Sequence, residues 1–314
     1  MAREQKFVSA VAAVDEYSEE LEVFLRLISG VLSERFQQAE LILVLTAGQE
    51  RNRETIKKYF KDNPSGLLIS IVTLDPGTGL EMAMNAGRDL AIGDYIYEFD
   101  DIHVDYEPSV ISEAYDRCIA DGLDIVTARN DRPVKFSSRM FYRVYNALAG
   151  AGKDLGPSSF RVLSRRAVNR IKSLGVYIPY RKAVYRNAGL QEASFVYSST
   201  DKTGKSRHSI KKERGDLAVD SFIYFTDLME KMSIAICLTF FAIAVGVIIY
   251  IIVSLLTDEK LISGWVSIMG FLSIGFTGLF GLITIVIKYL SVLVNLSFSR
   301  QQYLIRDIEK ISGV

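Results

Sequence analysis

The sequence predicts an α/β domain with a mostly parallel β-sheet, followed by two membrane-spanning helices. In the N-terminal part, strand-like apolar runs alternate with segments of helical periodicity, which is typical of helices packed on both faces of a parallel sheet. Near the C-terminus, residues 233–256 and 265–287 contain no Asp, Glu, Lys, Arg or His. Each run exceeds the roughly 20 apolar residues that cross the hydrocarbon core of a bilayer. We therefore expect a membrane protein.

The alternating elements can be assigned in order from the spacing of apolar side chains. Leu21, Leu25 and Ile28 recur at helical spacing, so residues 18–35 are predicted to form an amphipathic helix. Residues 40–45 and 67–74 are mainly apolar and have the length of buried strands. Applied along the chain, this pattern predicts strands over 6–14, 40–45, 67–74 and 95–100, and helices over 18–35, 54–60 and 79–91.

The chain divides by composition into a head, two spans and a tail. Residues 1–215 are mixed in charge and long enough for one sizeable domain. Residues 216–231 have apolar side chains at helical spacing, which predicts either an amphipathic helix along the membrane surface or a buried packing helix. The spans occupy 233–256 and 265–287 within residues 232–287, and residues 288–314 form a tail. Catalysis or ligand binding is expected in the head.

The distribution of positive charge predicts the topology. Lys and Arg are frequent before the first span and after the second, whereas the hairpin between them has Lys260 alone. By the positive-inside rule, the head and both termini face the cytoplasm at the inner membrane. The N-terminus lacks the pattern of a secretory signal. Cys118 lies in the head and Cys237 in the first span, which argues against a disulfide framework.

Composition also excludes some functions. The 37 Lys and Arg residues are balanced by 37 Asp and Glu residues, and no nucleic-acid reader motif is present, so we expect no nucleic-acid partner. Spans without ionisable side chains do not favour a channel or transporter. Ala242 and Gly246 have the spacing of small residues at helix contacts and could let the second span approach closely. A homo-oligomer formed through the spans is possible on this sequence.

Polar residues follow several predicted strands. In open parallel sheets ligands bind beyond the carboxyl ends of the strands, which points to Asp15, Thr46, Asp75 and the acidic segment beginning at Asp100. Carboxylates gathered at one strand end repel one another, and a hard divalent cation would relieve that repulsion. The segment therefore predicts Mg²⁺ or Mn²⁺, with a solvated acidic loop as the alternative.

One run of the sequence resembles a known enzyme family. Residues 84–101 read MNAGRDLAIGDYIYEFDD, which is similar to the N-x-G-x-x-x-A-x-G-D signature of family 2 glycosyltransferases of GT-A fold, and end where those enzymes have a metal-binding D-x-D. Residues 124–132, 137–146, 158–171 and 202–210 resemble, in order, segments of the polyprenyl-phosphate glycosyltransferases, which include dolichol-phosphate mannose synthases. Enzymes of that subgroup often end in paired membrane helices, so the resemblance covers nearly the whole chain.

The resemblance implies a fold and an activity. The head would be a GT-A nucleotide-sugar-binding domain, and the enzyme would move a sugar from a nucleotide-sugar to a polyprenyl (undecaprenyl) phosphate with inversion. It implies donor-binding roles for Asp15, Thr46, Asp75 and Asn85. The family's second strand ends in two aspartates, where this chain has Leu45 and Thr46, so the nucleotide must be held differently.

The metal-binding motif has two possible registers. Counted from Gly93, its first aspartate is Asp100; counted back from residues 108–111, it is Asp101, and His103 takes the second position. The resemblance implies metal ligation by Asp100 and Asp101 jointly. His103 is a further candidate ligand, acceptable to Mn²⁺. Supporting roles fall to Glu98 or Asp105.

The acceptor site departs from the family at one position. Ser159 stands where the family has an aspartate sometimes proposed as a base. A lipid phosphate is largely a dianion at pH 7 and needs no base, so the site would need cations instead. Arg161 is the first choice for this role and, with Asp100 and Asp101, is predicted to be catalytic. The full set of predicted phosphate-binding residues is Arg129, Arg132, Arg161, Lys202 and Lys205.

Two other interpretations stay open. The protein could be a transferase that extends a capsule or O-antigen saccharide, for which a carboxylate base such as Asp154 would be needed. It could also be an inactive scaffold or binding protein with a degenerate donor site, as the losses at Leu45 and Thr46 suggest.

Overall fold

Eight strands form a single sheet in the part of the chain that the structure describes. The structure is a computed structural model and describes residues 3–14, 20–46, 49–76, 78–133, 139–140, 142–143, 156, 158–174, 181–200, 228–256, 265–298 and 303–312. The strands are β1 (Val8–Val14), β2 (Ala39–Thr46), β3 (Leu68–Leu74), β4 (Tyr95–Phe99), β5 (Ile125–Asn130), β6 (Phe160–Ser164), β7 (Glu192–Tyr197) and β8 (Ile305–Ser312).

The strand order explains why residues distant in sequence meet at one edge. The order is β7-β5-β6-β4-β1-β2-β3-β8. Strand β6 is antiparallel to β4 and β5, and β8 is antiparallel to β3, while the other pairs are parallel. Six strands therefore run in one direction, and their carboxyl ends share an edge with the start of β6. The predicted α/β fold with a mostly parallel sheet is confirmed.

Helices cover both faces of this sheet. Side chains of β1 alternate between them: Val8, Ala10, Ala12 and Val14 join the large apolar core, whereas Val11 lies beneath a helix on the other face. The helices are α1 (Glu20–Arg35), α2 (Glu50–Asp62), α3 (Leu80–Leu90), α4 (Pro108–Ala120), α5 (Arg165–Ser173) and α6 (Arg181–Asn187), followed by α7 (Leu228–Leu256) and α8 (Trp265–Phe298). The strands and helices predicted up to residue 100 are all present, with ends shifted by a few residues.

Two glycines fix close packing on the α3 face. A Cβ atom at Gly87 of α3 would lie 2.4 Å from a methyl group of Val11, so the helix backbone rests directly on the sheet. A Cβ at Gly93 would lie 2.6 Å from the backbone nitrogen of Ser9. The Gly93 amide also donates a hydrogen bond, 2.8 Å long, to the side-chain hydroxyl of Ser9.

The C-terminal apolar helices form a separate unit, Val219–Ser297. Ser233–Tyr250 and Ile268–Ser291 are long and apolar enough to cross a bilayer, with mean hydropathies of 2.5 and 2.1. The helices touch through polar and aromatic side chains: the hydroxyl oxygens of Ser233 and Thr284 are 2.6 Å apart, and the rings of Phe240 and Phe280 stack. Ala242 and Gly246 are exposed instead of lying at this contact, so the proposed small-residue approach between the two helices is wrong.

The C-terminal residues differ from the predicted tail. The second apolar helix continues to Phe298, and Ile305–Ser312 form β8 at the edge of the head's sheet. The ammonium group of Lys57 in α2 lies 2.7 Å from the carboxylate of Glu309, which adds an ion pair to the strand contact. The head therefore contains residues that precede the apolar helices in sequence and residues that follow them. The predicted helix over 216–231 lies largely outside the described residues, and α7 begins at Leu228.

Candidate active site

The carboxyl edge of the sheet carries a buried network of charges. Glu98 is the fourth residue of β4, and Arg161 lies directly opposite it on β6. Because paired residues project to the same face, the two side chains meet on the side of α3. The Glu98 carboxylate accepts hydrogen bonds from Arg161 Nη1 at 3.3 Å, Arg181 Nη1 at 2.9 Å and the Tyr185 hydroxyl at 2.7 Å. Glu98 has no exposed surface.

Asp100, directly after β4, has both carboxylate oxygens bound by arginine. Arg181 Nη2 donates to Oδ1 and Arg161 Nη2 donates to Oδ2, each at 2.7 Å. The ammonium nitrogen of Lys182 is 4.0 Å from Oδ2. Burial alone would raise the pKa of the Asp100 carboxyl, but these cations outweigh it and hold that pKa well below its usual range. Asp100 is therefore a carboxylate at neutral pH.

Helix α3 completes the network from the other side. Glu81 accepts from the backbone amide of Arg181 at 2.9 Å and from its Nε at 2.8 Å. Arg88, two turns further along the helix, donates to the Tyr185 hydroxyl at 2.9 Å. Burial lowers the pKa of the Arg181 guanidinium, but the surrounding carboxylates more than compensate and raise it. The network thus joins α3, β4, β6 and α6 through paired charges.

The network is balanced in charge. It contains three carboxylates, Glu81, Glu98 and Asp100, and three guanidinium groups, Arg88, Arg161 and Arg181, all buried. A buried charge that loses its partner destabilises a protein by about 3–5 kcal/mol, so each member depends on the others. Arg161 is only 2% exposed. It was predicted to bind the acceptor phosphate, but in this structure its guanidinium is used by Glu98, Asp100 and Ser158.

Another buried carboxylate, Asp105, joins the loops at the same edge. It accepts from Asn130 Nδ2 at 2.9 Å, the Tyr197 hydroxyl at 2.6 Å and the Ser199 hydroxyl at 3.3 Å. The Tyr197 oxygen is also 2.5 Å from the hydroxyl of Ser159. Burial, and then the hydrogen bond to Asp105, raise the pKa of Tyr197, so its phenol stays protonated and donates to Asp105. Asp105 thereby connects the segments that follow β4, β5 and β7 with the one that precedes β6.

The other predicted metal ligands lie in the turn after Asp100. Asp101 Oδ1 accepts from the backbone amide of His103 at 3.1 Å. His103 Nδ1 lies 3.1 Å from a carboxylate oxygen of Glu20, at the start of α1. Both predicted ligands are partly exposed.

These residues do not fit a divalent cation at Asp100. No group of three or more His, Cys, Asp and Glu side chains able to hold a metal ion occurs among the residues that the structure describes. Both Asp100 oxygens already face guanidinium groups, and a cation placed there would meet two like charges at close range.

The remaining predicted residues lie near the ends of β2, β3 and β5, in α3, or outside the residues that the structure describes. Asp75 directly follows β3, and its backbone oxygen accepts from the Thr78 hydroxyl at 2.8 Å. Asn85 is buried in α3. Arg129 is exposed at the end of β5, and Arg132 donates to the Ser199 hydroxyl at 2.7 Å. Thr46 is the last residue of β2, and the structure describes its backbone only. The other predicted residues, Asp15, Asp154, Lys202 and Lys205, lie outside the described residues.

Sequence reasoning missed Glu81, Arg181 and Tyr185. One signal was present: Glu98 stands inside an otherwise apolar strand, YIYEF, and a charge in a buried strand requires partners. The partner residues could not be identified, because Arg181 is 83 residues away from Glu98 in sequence. Tyr197, which connects Asp105 with Ser159, was missed for the same reason.

Comparisons with known proteins agree with this architecture. The chain is 27% identical over 164 residues to an uncharacterized glycosyltransferase of Synechocystis sp., covering 50% of each protein. It thus spans about half the length of that relative. Among solved structures it is similar to a mannosyltransferase of Pyrobaculum calidifontis in complex with GDP-Man and Mn²⁺, with a TM-score of 0.50, 14% identity and coverage of 70% of this chain and 64% of that one.

The similarity to the mannosyltransferase shows a fold of the GT-A type. A glucosyl-3-phosphoglycerate synthase of Mycobacterium tuberculosis gives a TM-score of 0.49 at 12% identity, over 69% of this chain and 76% of that one. No family model matches the chain. At these identities the similarity of the solved structures concerns the fold alone.

Proposed function

We propose that this chain is a membrane-anchored inverting glycosyltransferase that moves a sugar from a nucleotide-sugar to a polyprenyl phosphate. The observation that carries the proposal is the presence, in one chain, of a GT-A-type sheet and two helices of bilayer length. The half-length similarity to a glycosyltransferase supports the reaction class. The helices support a lipid acceptor, because a polyprenyl chain leaves a bilayer only at a large hydrophobic cost.

The donor would bind across the carboxyl edge, near the ends of β1, β2 and β3. Asp15, Thr46 and Asp75 follow or end these strands and remain our candidates for holding the nucleotide. Asn85 is buried in α3 and is assigned a packing role behind this region. The buried network at Asp100 provides a fixed floor, since its side chains are locked by several charge-assisted hydrogen bonds.

The acceptor phosphate would bind beside β5. Arg129 is exposed there, and Arg132 is oriented by Ser199, which also contacts Asp105. Guanidinium groups bind phosphate through paired hydrogen bonds and retain their charge at any physiological pH. Lys202 and Lys205 follow in sequence and are proposed as further cations. Arg161 is assigned a different role, as a positioning residue that fixes Asp100 and Glu98.

The chemistry is a single displacement. A phosphate oxygen of the acceptor forms a bond to the anomeric carbon, and the bond from that carbon to the nucleoside diphosphate breaks. The diphosphate leaves with the electron pair, and configuration at the anomeric carbon inverts. Because a phosphate monoester is largely a dianion at pH 7, no proton has to be removed from it. The absence of a carboxylate at Ser159 is therefore compatible with this acceptor.

The location follows from the same proposal. Residues 233–256 and 265–287 would cross the inner membrane, with the head and both termini in the cytoplasm. A tethered head meets a membrane-bound acceptor at a high effective concentration. Formation of homo-oligomers stays a prediction.

One observation favours a second candidate, a transferase acting on a saccharide hydroxyl. Ser159, Tyr197 and Asp105 form a chain of hydrogen bonds 2.5 and 2.6 Å long, ending at a carboxylate. If an acceptor hydroxyl bound at Ser159, its proton could pass along this chain to Asp105. A phosphate acceptor needs no such path.

A transfer assay separates these candidates. The full chain in detergent would be given a panel of radiolabelled UDP- and GDP-sugars with undecaprenyl phosphate or with oligosaccharides, in buffers with and without Mn²⁺. Label that moves into the butanol phase only when undecaprenyl phosphate is present supports the leading proposal. Label that moves to an oligosaccharide supports the second candidate. Absence of transfer and of nucleotide binding in every buffer would support an inactive binding protein.

A further inference from the structure

The arginine pair around Asp100 has a consequence for how a diphosphate can be bound. In the resemblance stated above, Asp100 stands where a metal-binding motif begins, and a divalent cation there would neutralise the donor's diphosphate. In this chain Arg161 and Arg181 each donate to a different oxygen of Asp100, at 2.7 Å. The negative charge that would attract a cation is therefore already compensated.

Among the described residues, the wider network has no excess negative charge. Three buried carboxylates face three buried guanidinium groups, Asp89 beside Arg88 is also paired with Lys172, and Lys182 adds one further positive charge 4.0 Å from Asp100 Oδ2. Adding a doubly charged cation to such a cluster is electrostatically unfavourable, and the dehydration that Mg²⁺ resists would not be repaid. An anion at the edge of the same cluster would be favoured.

Lys182 is placed to make that contact. It follows Arg181 in α6, and its side chain is 19% exposed, whereas Arg161 and Arg181 are almost fully buried. Its exposed fraction is larger than that of Arg88, Arg161 or Arg181, so the lysine is the most accessible cation of the group.

We propose that this chain binds the diphosphate of its donor without a divalent cation. Arg161 and Arg181 neutralise Asp100 in place of the metal, and Lys182 at the rim of the cluster contacts the diphosphate. This inference rests on the proposed function, because it concerns the donor of that reaction. The proposal differs from the metal-dependent donor binding that the sequence pattern predicts and that the Mn²⁺ in the solved mannosyltransferase structure suggests.

The first test measures nucleotide binding with and without metal. UDP and GDP would be titrated into the detergent-solubilised full chain by calorimetry, once in EDTA and once in Mn²⁺. The inference expects the dissociation constant of the nucleotide that binds to agree within about threefold between the two buffers. An affinity at least tenfold higher in Mn²⁺ would overturn the inference and leave the proposed function standing. Failure of both nucleotides to bind in either buffer would count against both proposals.

The second test does not depend on the donor. Mn²⁺ is titrated into the protein while the electron paramagnetic resonance signal of free Mn²⁺ is followed. Wild type and Asp100→Asn should both leave the added Mn²⁺ in the free signal. Stoichiometric loss of that signal with wild type, but not with Asp100→Asn, would show a metal site at Asp100 and overturn the inference.

A pair of lysine variants tests the cation assigned to the diphosphate. Lys182→Ala should weaken nucleotide binding in EDTA by at least about tenfold, the effect of one lost charge-assisted contact. Lys172→Ala is the matched control, since Lys172 is also a lysine beside an aspartate, Asp89, but lies on α5. Equal affinities of the two variants and wild type would overturn the role of Lys182.

Discussion

Arg161 on β6 lies directly opposite Glu98 on β4 and reaches two residues further, to Asp100. Its Nη1 donates to Glu98 at 3.3 Å and its Nη2 donates to Asp100 at 2.7 Å. One side chain thus connects the interior of β4 with the first residue after that strand. A second guanidinium, that of Arg181 in α6, binds the same two carboxylates. The geometry of Asp100 is consequently set by two separate segments of the chain.

Removing the second guanidinium should destabilise the head strongly. Arg181→Met would leave Glu81, Glu98 and Asp100 short of a partner, and breaking such a buried pair costs about 3–5 kcal/mol. Thermal unfolding followed by circular dichroism of the detergent-solubilised chain measures this loss. Glu113→Gln serves as the control, because it removes an exposed ion pair with Arg117 on one helix and should cost less than about 0.5 kcal/mol. Equal stabilities of the two variants would contradict the network's role.

The close approach of the Gly93 and Ser9 backbones gives a second prediction. Gly93→Ala would place a methyl group 2.6 Å from the Ser9 nitrogen, and backbone atoms cannot move away as a flexible side chain can. We expect a loss of stability of about 1–3 kcal/mol, the cost of overpacking. Gly30→Ala is the matched control: nothing lies within 4 Å of its added methyl group in α1, so the substitution should stabilise the helix by up to about 1 kcal/mol. In the same unfolding experiment, Gly93→Ala should have a lower free energy of unfolding than wild type, and Gly30→Ala should not.

How much of this could be read from the sequence depends on the range of the contacts. The alternation that predicts β1 to β4 and α1 to α3 is local, because each element shows its own apolar spacing, and those elements are present. Strand β8 escaped prediction since its pairing partner, β3, precedes the apolar helices while β8 follows them. Nothing in the local spacing of Ile305–Ser312 states which sheet edge it will cover.

The candidate site divides in the same way. The strand-end position of Asp100 follows from local pattern, and the structure places Asp100 there. Its pairing with arginines could not be predicted from local pattern, because those arginines come from β6 and from α6, at separations of 61 and 81 residues. Among the residues of β4, the charged side chain of Glu98 was the one local sign that partners existed elsewhere in the chain.

The carboxylate of Asp124 gives a prediction about pH. Burial raises its pKa, but hydrogen bonds from the Gln191 amide and the Arg166 guanidinium outweigh this and lower it. A lowered folded-state pKa means that the stabilisation is complete above the ordinary value of about 3.9 and is lost as pH falls toward the folded value. Asp124→Asn should therefore reduce the unfolding temperature at pH 6, and the difference from wild type should narrow toward pH 3. Asp121→Asn, at an exposed position near the end of α4, is the control for the substitution itself and should leave the unfolding temperature at pH 6 close to that of wild type.

Tyr197 separates the two acceptor candidates. Tyr197→Phe removes the hydroxyl between Asp105 and Ser159 while keeping the ring that packs against Tyr106. Loss of one buried hydrogen bond should cost about 1–2 kcal/mol of stability. With a phosphate acceptor, the turnover number and its pH profile should change little, and only the Michaelis constant for the acceptor should rise. A lowered turnover number together with a shifted pH profile would instead show that the hydrogen-bonded chain carries a proton from an acceptor hydroxyl.

The most direct measurement is mass spectrometry of the lipid after incubation of the purified full chain with undecaprenyl phosphate and the active nucleotide-sugar, in EDTA. The account predicts a lipid phosphate heavier by one sugar residue, with equimolar release of the nucleoside diphosphate. Unmodified lipid both in EDTA and in a parallel incubation with Mn²⁺, when the same preparation binds the donor and glycosylates a saccharide or no acceptor at all, would contradict the central claim.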